Sequence, residues 1–522
     1  MKYDLIIIGG GINGCALARL ASANGLSVAL LEKNDFGSGV TSRSTRLIHG
    51  GLRYLESGRI GLVRESLRER RALLRNYPGQ VKIQPFLIPV YKSDKRRPFY
   101  ISIGLHLYQW LADDIELGEF KRLSADEIGT LAPALDKRDL LAGFLYHDCQ
   151  ATYPERLSLE MARQAEDAGA AIHNHTQVDG FLLGTSGVEG VRASGREGER
   201  TLHSRLVINA AGPWIDHVRA LLPGEPGKQL VTRLNGAHIV IRPFAGAPAA
   251  AVYHEARSDG RPFFVIPWRG LSLIGTTETA FEGDPDRVTP AEREIRYLLD
   301  ETNGLFPGAH LNRESVLYAY AGSRPLLHVD GDSMNTASRD HAIYDHEKEE
   351  GLKGLLTLVG GKLTTAPSFA REVLEIASTK LGASPPRDLQ TTVNLEGVCP
   401  RLAEIYGPRA WHVSEFIRDR AGGAVPVFSG AEIRVGEIIY AVEHEKARTL
   451  GDIMLRRTGL AFDPAHDPSW PRRVLEIATG AEVATVTESW KSIDPDRALA
   501  DYQAERNAFL VGSASERGAK PA

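Results

Sequence analysis

The sequence predicts an α/β protein made of a Rossmann-like dinucleotide-binding domain, a β-rich domain and a C-terminal helical domain. Three observations lead to this prediction. The chain begins with a strand, a glycine-rich turn, a helix and a second strand, in the order of a dinucleotide-binding unit. Residues 228–330 contain strand-like runs with a hairpin signal, and the region beyond 385 follows a helical period. With 522 residues the chain is too long for one hydrophobic core.

The opening unit carries the signature of an adenine dinucleotide site. A buried strand at 5–8 is followed by glycines spaced as G-x-G-x-x-G, namely Gly9, Gly11 and Gly14. Such glycines permit a tight turn, a close approach of backbone to a pyrophosphate, and close packing of helix on strand. A helix at 16–23 then leads to a strand at 28–31 ending in Glu32, which is placed to accept a hydrogen bond from a ribose hydroxyl. The alternative is a glycine-rich turn in some other α/β domain.

The composition is ordinary for a soluble globular protein and excludes several functional classes. A net charge of −4 gives no basic field for nucleic acid. We expect no signal peptide, because the first residues lead straight into a strand, and the sequence has no apolar run long enough to span a bilayer. The three cysteines, Cys15, Cys149 and Cys399, form no C-x-x-C pair, which argues against disulfides or a zinc site. We therefore expect a cytoplasmic protein without a bound metal.

The segment 35–55 continues the dinucleotide motif and carries the strongest family signal. It is rich in hydroxyl, glycine and arginine residues, and it offers Arg46, His49 and Arg53 as cations beside a cofactor, although each arginine alone also fits a solvated surface charge. Its run TSRSTRLIHGGLRYL, together with GGGING in the first turn, resembles the FAD-dependent glycerol-3-phosphate dehydrogenases of aerobic bacteria and mitochondria. These enzymes belong to the D-amino-acid-oxidase-like flavoprotein superfamily.

Three later stretches strengthen the resemblance, which covers nearly the whole chain. They are a buried strand ending in small residues at 206–214, the run 318–326 with Arg324 before a proline, and Gly-Gly-Lys-Leu-Thr-Thr at 360–365. The resemblance implies an FAD-binding fold of the glutathione-reductase/D-amino-acid-oxidase type. We expect a discontinuous FAD-binding domain at 1–80, 145–225 and 345–384, a substrate-binding domain at 81–144 and 226–344, and a helical domain at 385–522.

The resemblance implies FAD as the cofactor and assigns its contacts to four stretches: the first glycine turn, the hydroxyl-rich loop, the strand end near 211 and the second glycine turn. The expected cofactor-binding residues are Gly9, Gly11, Ile12, Asn13, Gly14, Glu32, Thr41, Ser42, Arg46, Leu47, His49, Gly50, Ala211, Gly212, Gly361, Leu363 and Thr364.

The resemblance also implies a phosphorylated polyol as the substrate, whose dianion needs fixed cations. The expected substrate-binding residues are Arg53, Tyr54, Arg324, Lys362 and Thr364. His238 is the preferred base for the hydroxyl proton and His49 the second candidate, while Arg324 can also stabilise the developing alkoxide. Without the resemblance, His238 would be interpreted as a structural histidine on a strand.

These residues predict FAD-dependent oxidation of sn-glycerol 3-phosphate to dihydroxyacetone phosphate, with hydride transfer to flavin N5 and electrons passing on to a quinone. The sequence departs from the family pattern at two places: Glu278 replaces the usual Asp, and Tyr153-Pro-Glu-Arg-Leu replaces Asp-Asp-Ala-Arg-Leu. A longer polyol phosphate, such as a tetritol phosphate, is therefore an alternative substrate. An oxygen-using glycerol-phosphate oxidase is a further alternative. An amine or amino-acid oxidase and a non-catalytic flavin sensor are more distant, because the lysine of the second turn and the complete cation set argue against them.

A basic cluster at 92–97 precedes an aromatic, apolar helix at 100–111. This pattern fits a peripheral membrane contact, and it fits equally well a core helix after a solvated loop. The membrane contact would bring a cytoplasmic enzyme to a quinone at the inner face of the cytoplasmic membrane. A homodimer is also expected, and the small, polar tail from 512 is expected to be disordered.

Overall fold

The computed structural model describes residues 2–112, 117–185, 187–196, 198–224, 228–329, 341–389, 393–480, 490 and 493–510. Its strands are β1 (Lys2–Ile8), β2 (Val28–Leu31), β3 (Leu47–Ile48), β4 (Val81–Tyr91), β5 (Lys121–Leu123), β6 (Leu140–Ala151), β7 (Ala171–His173), β8 (Thr176–Leu183), β9 (Val188–Gly195), β10 (Gly198–Asn209), β11 (Val231–Ile241), β12 (Ala251–Glu255), β13 (Pro262–Trp268), β14 (Leu271–Gly275), β15 (Thr279–Ala280), β16 (Val316–Leu327), β17 (Ala342–Asp345) and β18 (Leu355–Val359). Its helices are α1 (Ile12–Ala23), α2 (Ile60–Asn76), α3 (Pro98–Ala112), α4 (Ala125–Leu131), α5 (Pro154–Asp167), α6 (Ile215–Arg219), α7 (Glu292–Leu305), α8 (His346–Glu350), α9 (Ala366–Leu381), α10 (Pro400–Tyr406), α11 (Ala410–Asp419), α12 (Val435–His444), α13 (Trp470–Thr479) and α14 (Pro495–Asn507). The tail from 512 lies outside the described residues.

The first sheet is the Rossmann-like one, and its central strands are parallel. Its order is β17-β18-β10-β1-β2-β7, with β8 and β9 attached as antiparallel strands beside β10. Strand β1 pairs in parallel with β2 and β10, and its apolar run at 5–8 is buried because both faces of the sheet are covered. Helices α1, α5 and α9 pack on one face through side chains such as Leu17, Leu159 and Phe369. The predicted order of strand, glycine turn, helix and strand is therefore present.

The second sheet is mainly antiparallel and has the order β15-β11-β14-β13-β12-β4-β6-β3, with β16 paired to β11 and β5 to β6. Strands β13 and β14 form the predicted hairpin, and its turn residues Arg269 and Gly270 both have positive φ, as a tight two-residue hairpin turn requires. Strand β6 lies wholly in this sheet and crosses the expected domain boundary at 145. The domain boundaries themselves stay a prediction.

Beyond residue 393 the described chain is mainly helical. In α12 the apolar residues Ile438, Ile439 and Val442 fall at helical spacing and are buried. A buried ion pair attaches this region to α5, where Arg156 donates two hydrogen bonds of 2.7 Å to Glu445. The structure thus confirms the predicted class, an α/β fold with a Rossmann-like sheet, a β-rich part and a C-terminal helical part.

Helix α3 has one buried and one exposed face. Leu105 and Tyr108 are buried, whereas Phe99, Tyr100 and Trp110 are 70%, 66% and 75% exposed. Among the described helices, none is long and apolar enough to cross a membrane. The helix therefore lies on the surface with large apolar side chains in contact with solvent.

Candidate functional site

The turn between β1 and α1 is built so that no side chain fills it. Gly9 has a φ of +110°, which favours glycine. A Cβ on Gly9 would lie 2.6 Å from the carbonyl oxygen of Ala210, and a Cβ on Gly14 would overlap the carbonyl oxygen of Gly9. A Cβ on Gly11 would meet only the hydroxyl oxygen of Thr41, at 3.5 Å, so the space beside this residue stays open. The backbone at the N-terminus of α1 is therefore accessible to an anionic group.

Glu32, at the end of β2, is fixed by two backbone hydrogen bonds. Its Oε2 accepts from the N–H of Gly10 at 2.6 Å, and its Oε1 accepts from the N–H of Asn34 at 2.8 Å. Burial raises the pKa of the Glu32 carboxyl, although the two N–H groups oppose this effect. Each carboxylate oxygen can accept from a second donor, such as a ribose hydroxyl. The expected ribose contact stays a prediction.

A cleft runs past the first glycine turn to the second glycine turn at 360–363, along the C-terminal ends of the parallel strands. Many of the expected cofactor-binding residues line it: Gly9, Gly11, Ile12, Asn13, Glu32, Thr41, Ala211, Gly212, Gly361 and Leu363. The other expected residues are not part of this lining: Gly14, Ser42, Arg46, Leu47, His49, Gly50 and Thr364. The structure therefore gathers residues that are hundreds of positions apart in sequence.

Several lining residues carry no local signal in the sequence. Thr176, Gln177 and Val178 reach the cleft through β8, which is held there by the pairing of β9 with β10. Trp214 also lines the cleft. The ammonium of Lys33 lies 4.4 Å from the centroid of the Trp214 ring. Only Trp214 belongs to a run that the sequence singled out, the small residues that follow β10.

Lys362 lines the cleft, and beside it lie further groups that were expected to bind the substrate or to take its proton. The Nζ of Lys362 is buried, has no hydrogen-bond partner in the described part of the chain, and lies 4.0 Å from the centroid of the Tyr54 ring. The backbone N–H of His49 donates to the hydroxyl of Thr364 at 3.1 Å. Burial lowers the pKa of His49, which keeps its imidazole neutral at neutral pH. These four residues therefore form one cluster.

Arg53 and Tyr54 share a short 3-10 turn, Leu52–Leu55, that follows Gly51 in the left-handed conformation with a φ of +75°. The ring of Tyr54 faces Lys362, whereas Arg53 is exposed. Arg53 is thus an exposed neighbour of Tyr54 in this turn, and its contact with a substrate stays a prediction.

Arg324 projects from β16 and is held by two residues that follow β14. Its Nη2 donates to the hydroxyl of Thr276 at 3.1 Å, and its Nη1 lies 3.5 Å from Oε1 of Glu278. Gly236 on the neighbouring strand β11 provides the space, because a Cβ there would lie 2.5 Å from Nη2. The next residue, Pro325, lines the cleft. Glu278, the departure from the family pattern, is therefore the carboxylate that pairs with Arg324.

His238 lies on β11 opposite Tyr320 of β16 and is only 2% exposed. Its Nε2 shares a hydrogen bond of 2.9 Å with the hydroxyl of Thr45, and its ring stacks on Tyr320 with centroids 5.0 Å apart. Burial, Arg324 and Arg46 lower the pKa of His238 to about 3. The imidazole is therefore neutral and weakly basic, and its role as the base stays a prediction.

Arg46 has a partner that the sequence did not reveal. Its Nη1 lies 3.2 Å from Oε2 of Glu155, and its guanidinium lies 4.7 Å from the centroid of the Trp268 ring. It also donates to the carbonyl of Ser42 at 3.0 Å. The charge of Arg46 is thus neutralised within the protein, and a contact between this residue and a cofactor stays a prediction.

Comparison with known proteins identifies the family. Residues 4–376 match the model of the FAD dependent oxidoreductases, and residues 358–481 match the C-terminal domain of alpha-glycerophosphate oxidase. The chain belongs to the FAD-dependent oxidoreductase family. The predicted membership of the D-amino-acid-oxidase-like flavoproteins is confirmed by this match.

Curated relatives and solved structures agree with this assignment. A glycerol-3-phosphate dehydrogenase of Synechocystis sp. is 39% identical over 493 residues, which are 88% of this chain and 89% of the relative. An aerobic glycerol-3-phosphate dehydrogenase of Staphylococcus haemolyticus is 33% identical over 500 residues, which are 88% of this chain and 87% of the relative. The glycerol-3-phosphate dehydrogenase of Bacillus halodurans, solved with FAD, superposes with a TM-score of 0.78 at 25% identity and covers 99% of this chain and 97% of that one.

The residues of the cleft fit FAD, the cofactor of the family. The open backbone at Gly11 and the N-terminus of α1 suit a pyrophosphate. Two buried polar atoms of the cleft, Oδ1 of Asn13 and Nζ of Lys362, have no hydrogen-bond partner among the described residues and are available to a ligand. The predicted cofactor is therefore confirmed, whereas the contacts of individual residues with it stay predictions.

Proposed function

We propose that this enzyme oxidises the C2 hydroxyl of sn-glycerol 3-phosphate to the ketone of dihydroxyacetone phosphate. FAD, when bound, supplies a two-electron acceptor that takes the hydride from the alcohol carbon at N5. The observation that carries the proposal is the buried ammonium of Lys362, which faces Tyr54 in the cluster beyond Gly361. The full-length similarity to glycerol-3-phosphate dehydrogenases supports the same substrate.

The cations expected to bind the substrate suit a phosphate dianion. A buried ammonium without a carboxylate partner is costly alone and is stabilised when an anion binds. Arg324 offers a guanidinium whose pairing with Glu278, at 3.5 Å, is loose enough to be shared with a ligand oxygen. We assign Lys362, Arg324 and Arg53 to the phosphate and the alkoxide, with Tyr54 and Thr364 assisting.

The hydroxyl proton needs a base, and His238 is our first choice. A neutral imidazole can accept a proton, but a pKa of about 3 is low for this task at neutral pH. A bound phosphate dianion would raise that pKa, because it would offset the positive field of Arg324. His49 is the second choice, since it lies in the same cluster as Lys362 and is also neutral.

The direct test is anaerobic bleaching of the flavin absorption band by sn-glycerol 3-phosphate, with glycerol and a D-amino acid as controls. Arg324→Ala should slow the bleaching by at least about a hundredfold, the scale for removing one stabilising donor. Arg192→Ala, which removes an exposed arginine of β9, should leave the rate unchanged. Bleaching by the amino acid, or equal rates in both variants, would contradict the proposal.

A tetritol phosphate and oxygen are the alternatives to test in the same assay. Glu278 is longer than the Asp of the family pattern and pairs with Arg324. It can therefore change the size of the substrate pocket beside Arg324 and admit a longer polyol. Bleaching only by a tetritol phosphate would keep the mechanism and change the substrate. Reoxidation of the bleached flavin by air at the rate of turnover would favour an oxidase, whereas reoxidation only by a quinone analogue would favour a dehydrogenase. An amine or amino-acid oxidase is less favoured, because the cation cluster suits a phosphate.

We also propose that the enzyme is cytoplasmic, docks on the membrane through α3 and passes its electrons to a membrane quinone. The exposed Phe99, Tyr100 and Trp110 form an apolar surface beside the basic stretch at 92–97. Trp110→Ser should weaken co-sedimentation with anionic lipid vesicles. Trp411→Ser, which replaces an exposed tryptophan of the helical region, is the matched control. Equal binding of both variants would contradict this docking surface, and the expected homodimer stays a prediction.

A further inference from the structure

We infer that Tyr108 is a positioning residue for the turn at 49–54, and that it acts together with Asp148 and Arg70. These three side chains form a buried polar network that contacts the turn through the N–H of Gly50. The inference rests on the proposed function of that turn, which carries His49, Arg53 and Tyr54.

The hydrogen bonds of the network have a fixed direction. Tyr108 lies 2.8 Å and 3.0 Å from the two carboxylate oxygens of Asp148, and Arg70 donates to the same carboxylate. A carboxylate can only accept, so the hydroxyl of Tyr108 must donate to Asp148. Its oxygen is then free to accept the backbone N–H of Gly50, which lies 2.8 Å away. The charge pair thus orients the hydroxyl that holds the turn.

The turn needs such support because two adjacent glycines form it. Gly51 is in the left-handed conformation, and a Cβ on Gly50 would lie 2.5 Å from the hydroxyl oxygen of Tyr108. Glycines leave the backbone free to adopt many conformations, so external contacts must select one. Two contacts do so here: the N–H of His49 binds Thr364, and the N–H of Gly50 binds Tyr108.

The network also connects the turn to three separate elements. Tyr108 belongs to α3, Asp148 to β6 and Arg70 to α2. The aromatic ring of Tyr108 packs edge-on against Tyr146, with centroids 6.1 Å apart. A hydroxyl anchored in this way holds Gly50 in one place, and with it the short turn that presents Tyr54 to Lys362.

The test is Tyr108→Phe, which keeps the ring and removes the hydroxyl. The N–H of Gly50 then loses its partner, so hydrogen–deuterium exchange of the peptide covering 47–55 should become faster. The KM for sn-glycerol 3-phosphate should rise by about tenfold with a smaller change in kcat, because the turn presents Arg53 and Tyr54 to the substrate whereas the preferred base, His238, lies on β11. Tyr146→Phe is the matched control, since it removes a neighbouring buried hydroxyl that does not contact Gly50, and it should leave both measurements unchanged.

Asp148→Asn provides a second variant that keeps the shape of the side chain. It should change exchange and KM in the same direction as Tyr108→Phe. Unchanged exchange of 47–55 and unchanged KM in Tyr108→Phe would overturn the inference. Equal effects in Tyr146→Phe, or a loss of thermal stability with an unchanged KM, would also overturn it, because they indicate general packing. The exchange measurement needs no substrate, so it tests the role of Tyr108 separately from the proposed activity. Wild-type protein that is inactive on glycerol 3-phosphate would contradict the proposed activity but not the role of Tyr108.

Discussion

The buried carboxylate of Asp35 holds the helical C-terminal region against the loop that begins at Asp35 and leads to β3. It accepts hydrogen bonds from Arg457 at 2.6 Å and 2.9 Å, from Arg456 at 2.8 Å and from Asn174 at 2.9 Å. Asp35 and Arg457 are both inaccessible to solvent. The substitution Asp35→Asn would keep the size of this side chain and remove its charge.

The expected loss follows from what each arginine would keep. Arg456 still pairs with Asp452 at 2.7 Å and with Glu505, so it stays neutralised. Among the residues that the structure describes, Arg457 keeps a carboxylate oxygen of Glu445 at 3.8 Å and the carbonyl of that residue. Removing one partner of a buried pair costs about 3–5 kcal/mol. We expect about 3 kcal/mol, the lower end of that range, because the new amide still offers one acceptor and Arg457 keeps a distant carboxylate.

The assay is urea unfolding of the FAD-loaded enzyme, followed by the intrinsic fluorescence of its tryptophans. Asp286→Asn is the matched control, since Asp286 pairs with Lys33 at 2.6 Å on the surface. It should change the free energy of unfolding by less than about 0.5 kcal/mol, because an exposed pair contributes little. A loss below about 1 kcal/mol for Asp35→Asn, or a loss equal to that of the control, would refute the reasoning.

Three further predictions concern the cleft and its supports. Gly14→Ala should abolish FAD retention, measured as flavin absorbance after gel filtration, whereas Gly61→Ala, with open space at its Cβ, should retain it. Burial lowers the pKa of His175, but the neighbouring Asp452 carboxylate raises it above the ordinary value. The pair of His175 and Asp452 therefore stabilises the fold fully below about pH 6.5, and this stabilisation is lost as the pH rises through the raised pKa. In thermal unfolding, the Tm of His175→Gln should therefore fall less than the Tm of the wild type between about pH 6 and pH 9. An equal fall of Tm in both proteins would contradict this prediction. Lys362→Met should raise the KM for sn-glycerol 3-phosphate by about ten- to a hundredfold in steady-state assays, and an unchanged KM would remove this lysine from the phosphate site.

The candidate site was predictable where a short segment supplies its own geometry. The first glycine turn is local, because the spacing of Gly9, Gly11 and Gly14 determines both the turn and the packing of α1 on β1. The second glycine turn could be recognised in the same way, since a buried strand leads directly into it. Family resemblance added FAD and the cation set, which composition and periodicity alone do not specify.

The sequence by itself therefore determined the fold class, the cofactor and the residue types of the site. Only the tertiary structure decided which side chains have partners, because partners come from distant segments: Arg46 meets Glu155, Asp35 meets Arg457, and Gly50 meets Tyr108. Long-range contacts of this kind depend on how sheets and helices pack, and no local period encodes them. For the same reason the low pKa of His238 could not be foreseen, since it arises from burial between strands and from the field of arginines brought near by folding.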